Sequence, residues 1–142
     1  MRTSFDSCSV VSVSFSLVAA LGLTLSTACS SDDGAKGPSG LVSSRAISEL
    51  SATEASALCD WSLATEGGPG KVTDCGGGNS RVVHTKEECL EDHALISKLS
   101  SCVTVTVSDI ERCAIESGKD ACGDHPECKA LNARLDTCAG KD

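Results

Sequence analysis

Thr85-Lys86-Glu87-Glu88-Cys89-Leu90-Glu91-Asp92-His93-Ala94-Leu95-Ile96-Ser97-Lys98-Leu99-Ser100-Ser101-Cys102 decides the fold of this chain. Thr85 followed three residues later by Glu88 is a capping box, in which the two side chains serve each other's backbone amides at a helix start. Cys89, His93, Ile96 and Leu99 then recur at helical spacing on one face. Cys102 closes that helix or lies just beyond it. A cysteine on the apolar face of a short helix points to a core held by cross-links as well as by packing.

The flanking sequence repeats this design. Ser51-Ala52-Thr53-Glu54 is a second capping box, with Leu50 before the cap and Ala55, Leu58, Cys59 and Trp61 behind it. Gly67-Gly68-Pro69-Gly70 ends that helix. Lys71 to Asp74 and Arg81 to His84 carry strand-forming valines around Gly76-Gly77-Gly78-Asn79, which predicts a small hairpin. A third helix is expected from Ser108, with Glu111 completing its box and Gly118 ending it. A fourth is expected near Pro126, a favoured first-turn residue, through Cys128, Leu131, Leu135 and Cys138 to Gly140. The expected fold class is mainly α: a small disulfide-rich domain over residues 46–142, with about four short helices and one small β-hairpin.

Upstream, residues 1–28 read as a bacterial signal peptide. Arg2 opens it, a serine-interrupted apolar stretch runs from Val10 to Leu25, and small residues at Ser26 and Ala28 suit a signal peptidase. A spanning helix needs roughly 20 strongly apolar residues, and this stretch is too polar for one. Ser26-Thr27-Ala28-Cys29 resembles the lipobox of bacterial lipoproteins, in which Cys29 carries the lipid, although Ser26 stands where that pattern has Leu. An ordinary signal peptidase would cut at the same bond and release a soluble product. Cysteine parity favours lipidation. The chain has ten cysteines, Cys8 leaves with the signal, and lipid on Cys29 leaves an even set for pairing. Ser30 after Cys29 resembles the sorting signal of outer-membrane lipoproteins. Residues 29–45 are then a lipid-anchored flexible tether, rich in Ser, Gly and Asp without periodicity.

The remaining cysteines are Cys59, Cys75, Cys89, Cys102, Cys113, Cys122, Cys128 and Cys138. Without a Cys-x-x-Cys they do not suggest a thioredoxin-type centre, and in an oxidising compartment they are expected to form four disulfides. Connectivity is open on the order of a hundred ways. We expect Cys75 with Cys89, Cys59 with Cys102, and the last four joining the third helix to the fourth. Aromatic residues make up 2% of the chain, with a single Trp and no Tyr, so the core is thin and disulfides compensate. That scarcity also excludes the stacking platforms used for bases. The net charge of −8, unchanged by removal of Arg2 and Asp6, disfavours nucleic acid as a partner.

Leu58-Cys59-Asp60-Trp61, Gly67-Gly68, Val72-Thr73-x-Cys75, Cys89, Cys102-x-x-x-Thr106-Val107-x-x-x-Glu111-x-Cys113, Cys122, Pro126-Glu127-Cys128-x-x-Leu131 and Cys138 form one ordered string. In that order it resembles a group of small cysteine-rich secreted or lipid-anchored proteins of myxobacteria and their relatives. The resemblance spans residues 50–138. It implies a fold and a location and brings no catalytic residues.

Chemical constellations are few. Gly76 to Asn79 lacks the Gly-Lys-Ser/Thr ending of a phosphate loop. Cys122, His125 and Cys128 are close enough in sequence to hold zinc, but paired thiols are the expected state. Glu91, Asp92 and His93 are consecutive, so a helix points them to different faces, and His93 is read as satisfied or solvent-facing. No serine sits in Gly-x-Ser-x-Gly. The expectation is therefore no catalytic residue, no cofactor and no metal. The leading reading is a non-enzymatic envelope lipoprotein domain, bound to the membrane by its N-terminal lipid and acting through a protein partner or envelope architecture. The alternatives are a secreted inhibitor or effector acting through residues 67–79 and Lys71, and a metal or small-ligand carrier.

Overall fold

A computed structural model describes residues 34–140, so the signal peptide and Cys29 lie outside the described residues. Four helices and one two-stranded antiparallel hairpin make up the domain: α1 (Ala52–Thr65), β1 (Val72–Gly76), β2 (Asn79–Val82), α2 (Lys86–Lys98), α3 (Val107–Lys119) and α4 (Pro126–Ala139). The fold is mainly α with one small hairpin, as expected. None of the described helices is long and apolar enough to cross a membrane.

The first two capping boxes form. The Ser51 hydroxyl accepts the Glu54 amide at 3.3 Å, and Glu54 accepts the Ser51 amide at 2.9 Å. Thr85 and Glu88 repeat this at the start of α2. Positive φ at Gly67 and Gly68 turns the chain out of α1, a conformation that costs other residues a clash at Cβ. The hairpin is tighter than expected. Val72 pairs with Val82, Thr73 with Arg81, Asp74 with Ser80 and, after a bulge, Gly76 with Asn79. Only Gly77-Gly78 remains as the turn, both with positive φ, which suits a two-residue connection.

The third helix departs from the sequence reading at both ends. It begins at Val107, and the residue that reaches back is Asp109, which accepts the Thr106 amide at 2.9 Å and the Thr106 hydroxyl at 3.0 Å. Glu111 is not part of a cap. It is buried and accepts the Ser39 amide at 2.9 Å. Gly118 lies inside the helix rather than ending it. A Cβ there would run into the Thr65 carbonyl, so the glycine permits close approach of α3 to the end of α1.

Residues 36–45 are the largest correction to the domain boundaries. Read as tether, they pack on the domain. The Arg45 carbonyl accepts the Val107 amide at 2.9 Å, and the Ser43 carbonyl accepts the Ser108 amide at 3.0 Å. These are amides of the first turn of α3, which have no partner within their own helix. Gly37 lies against the Glu111 carboxylate, and Val42 is buried. Backbone groups and two apolar residues, Leu41 and Val42, hold a segment whose composition suggests a linker.

The main core is Ile47, Leu58, Ile96, Val105, Val107 and Leu131, with Trp61 and Ile110 packed beside it. A second cluster, Cys59, Leu63, Val83 and Cys89, joins α1 to α2 and to the end of the hairpin. The disulfides are Cys59–Cys89, Cys75–Cys122, Cys102–Cys138 and Cys113–Cys128. The expected Cys75–Cys89 and Cys59–Cys102 pairs do not form. Cys89, one turn into α2, faces α1 and meets Cys59. The hairpin instead lies over the loop before α4, where Arg81 donates to the Ala121 carbonyl at 3.3 Å, and this brings Cys75 to Cys122. Of the last four cysteines, only Cys113 and Cys128 join α3 to α4 as expected. Four cross-links indicate folding in an oxidising, extracytoplasmic compartment.

Candidate functional site: a histidine-lined groove

A groove of about 640 Å³ runs between the end of α1, the hairpin, α2, α3 and α4. Its apolar lining includes Leu63, Ile96, Ile110, Leu131 and Leu135. Val82 and Leu95, 54% and 56% exposed, also line it. Val72, 64% exposed, stands opposite Val82 across the hairpin, and directly paired strand residues share a face. Among the described residues, the large exposed apolar side chains Val72, Val82 and Leu95 thus lie at or beside one opening, an arrangement that suits a contact surface.

All three histidines of the chain line this groove: His84, His93 and His125. Charged neighbours are matched in pairs. Arg81 donates to Glu66 at 2.8 Å, His84 meets Asp92 at 3.1 Å, and Lys129 pairs with Asp124. His125 donates from Nε2 to the Asp120 carbonyl at 2.6 Å, which leaves Nδ1 to accept from Arg81 at 3.2 Å. Nearby hydroxyls are occupied or turned away from such chemistry: Ser62 donates to the Cys59 carbonyl at 3.1 Å, and Ser117 lies 3.5 Å from the Cys128 sulfur. The groove is thus an apolar surface among polar neighbours that are already paired.

His93 differs from the other two. It is buried, with Nδ1 3.7 Å from the Cys59 sulfur. Burial lowers its pKa by disfavouring the imidazolium, and the negative charge of Asp92 opposes this without reversing it. Sequence reading kept His93 away from Glu91 and Asp92, and those two are indeed exposed. It missed the contact with sulfur, although the four-residue spacing from Cys89 was a usable signal.

Asp109 on α3 is another buried ionisable group with a directed environment. Burial raises its pKa, but the Thr106 amide and the Arg134 guanidinium, 2.9 Å away, outweigh burial and hold the carboxyl below its ordinary value. The two groups act in separate pH windows. The unfolded chain protonates its histidines near 6.5. Because folding lowers the His93 value, the unfolded state binds more protons as pH falls through that region, so stability is full above it and declines below it. Asp109, whose folded-state value is lowered, contributes stability that is fully present above the ordinary carboxylate value near 3.9 and is lost only as pH falls below it. The melting temperature should therefore fall from pH 7.5 to 5, and His93→Gln should flatten that part of the profile. An unchanged slope in the variant would rule out His93 as its source.

The other residues singled out by sequence are dispersed. Cys122 and Cys128 belong to different disulfides, so neither thiol is available beside His125. Lys71 is exposed, and its side chain lies over Gly67. The groove itself was not foreseen, because its residues come from five elements. Comparison with protein-family models, with curated proteins and with solved structures found no match for this chain.

Proposed function

We propose that this chain is a non-enzymatic cell-envelope lipoprotein, carried to the outer membrane on lipid attached to Cys29, whose domain receives an apolar element of a protein partner in the histidine-lined groove. The observation that carries this reading is the pairing of all eight domain cysteines with one another. Cys29 then has no partner among them, which is the parity expected when lipid occupies it. Packing of residues 36–45 on the domain leaves a short N-terminal stretch to span the distance from the lipid. The exposed valines beside the groove support a contact role over a purely architectural one.

The test is the intact mass of the protein extracted from its native membranes without reduction. The expected species begins at Cys29, carries a diacylglyceryl and a fatty acyl group, and lacks the hydrogens of eight thiols. An unlipidated species would overturn the anchor and leave a secreted domain. A second reading, a carrier of a small apolar ligand, is favoured by the groove volume alone. A ligand retained in native mass spectrometry of the same preparation would select it.

A further inference from the structure

Among the described residues, one group gathers three metal-ligating atoms within 4.8 Å of one another: Cys59, Cys89 and His93, all buried. In the folded protein the two sulfurs are bonded to each other, so the imidazole is packed against a closed disulfide. We infer that these three residues form a redox-gated site for a thiophilic cation of the Zn(II) type, closed as a disulfide and opened by reduction.

The geometry is close to what such a cation requires. Zinc binds thiolate sulfur at about 2.3 Å and imidazole nitrogen at about 2.0–2.1 Å, so ligand atoms in a tetrahedral site stand roughly 3.3–3.8 Å apart. The His93 Nδ1 to Cys59 sulfur distance is already 3.7 Å. The Cys89 sulfur lies within 4.8 Å of the imidazole, and the two sulfurs must separate, a movement that side-chain rotation can supply. Cys59 sits on α1 and Cys89 and His93 on α2, so a bound cation would tie together the same two helices that the disulfide ties. Cys89 and His93 both line the groove, which gives reductant and cation an entrance and leaves a fourth coordination position facing solvent or a ligand. Zinc sites with two Cys, one His and an open position follow this plan.

The chemistry balances with a monothiol as reductant. Two glutathione molecules supply two electrons and two protons. The Cys59–Cys89 bond breaks, the glutathione disulfide forms, and two thiols remain. The cation then displaces both thiol protons to solvent and takes the His93 nitrogen as its third ligand. Since the metal binds only the open form, it must shift the redox equilibrium towards that form.

The test uses the oxidised protein in glutathione redox buffers, with and without zinc. After quenching and removal of metal, the new thiols are alkylated and each of the four disulfides is mapped separately. With zinc, Cys59 and Cys89 are expected to open at a ratio of reduced to oxidised glutathione roughly tenfold or more lower, while the other three pairs do not respond. His93→Gln should remove most of that shift. Should the variant fold poorly, zinc-edge absorption spectroscopy of the unsubstituted protein decides, with two sulfur ligands and one imidazole expected. The proposal fails if the Cys59–Cys89 pair responds identically with and without zinc, if it never opens, or if the bound zinc shows four sulfurs.

Discussion

Leu58→Ala should cost roughly 3–5 kcal/mol, the upper part of the range for emptying a fully buried leucine site. Leu58 has no exposed surface and lies in the cluster with Ile47, Ile96, Val105, Val107 and Leu131. Its neighbours come from α2, α3, α4 and the turn at Ile47, so collapse around the smaller side chain would require several elements to move together. The disulfides oppose that movement. The effect is also large relative to the whole, because small domains are stable by only about 5–15 kcal/mol. Urea unfolding with all cross-links intact is the measurement, and Trp61 is the reporter, since it is the one tryptophan of the chain and packs against this core. Leu95→Ala is the control. Its side chain is exposed, and its loss should stay within about 0.5 kcal/mol. A loss below about 1 kcal/mol for Leu58→Ala would mean that the site relaxes fully and that packing contributes little beside the disulfides.

The contrast between Leu58 and Glu111 shows which parts of this fold a sequence can disclose. Leu58 was placed correctly because the signals are local: a capping box at Ser51 and Glu54 sets the helix phase, and helical spacing sets the face. The same holds for Cys89 and Ile96 behind Thr85, and for Pro126. Glu111 was misplaced because two overlapping starts, Thr106 with Asp109 and Ser108 with Glu111, fit the same local rule. What selects between them is Arg45 and Ser43, whose carbonyls take the first amides of α3 from a segment some sixty residues away in sequence. Gly118 was misread for a related reason. A glycine near a helix end usually terminates it, and only contact with Thr65 reveals a packing role. Disulfide partners are likewise long-range information. Cys75 finds Cys122 because the hairpin folds over the loop before α4, and nothing in either local sequence encodes that. The groove is the extreme case. Val82 and Leu95 read as ordinary residues of their own elements and His93 and His125 as parts of other constellations, and the four become one site only when the helices and hairpin are assembled.

Replacing both Cys59 and Cys89 by alanine should be more damaging than removing the Cys75–Cys122 cross-link. Loop entropy alone does not say so. The bond closes a loop of sequence separation 30 and Cys75–Cys122 one of 47, which on the chain-entropy relation are worth about 3.6 and about 4.0 kcal/mol. The difference is too small to decide the order. Burial decides it. Cys59 has no exposed surface and Cys89 is buried, whereas Cys122 is exposed at the edge of the hairpin. Alanine at 59 and 89 removes two sulfurs from the cluster with Leu63 and Val83 and leaves His93 facing a void. Each step adds a packing loss to the entropic one. A total of roughly 4–6 kcal/mol would leave little of the domain's stability at physiological temperature. The single change Cys59→Ala should be no milder, because it leaves an unpaired buried thiol beside the imidazole. Cys75→Ala with Cys122→Ala should lose close to the entropic amount and keep α1 against α2. The comparison is made by thermal unfolding of both double variants at pH 7.5, where His93 is neutral in either state. If the hairpin variant melted lower than the core variant, burial would not be the deciding quantity, and the stability of this domain would reside in chain connectivity instead.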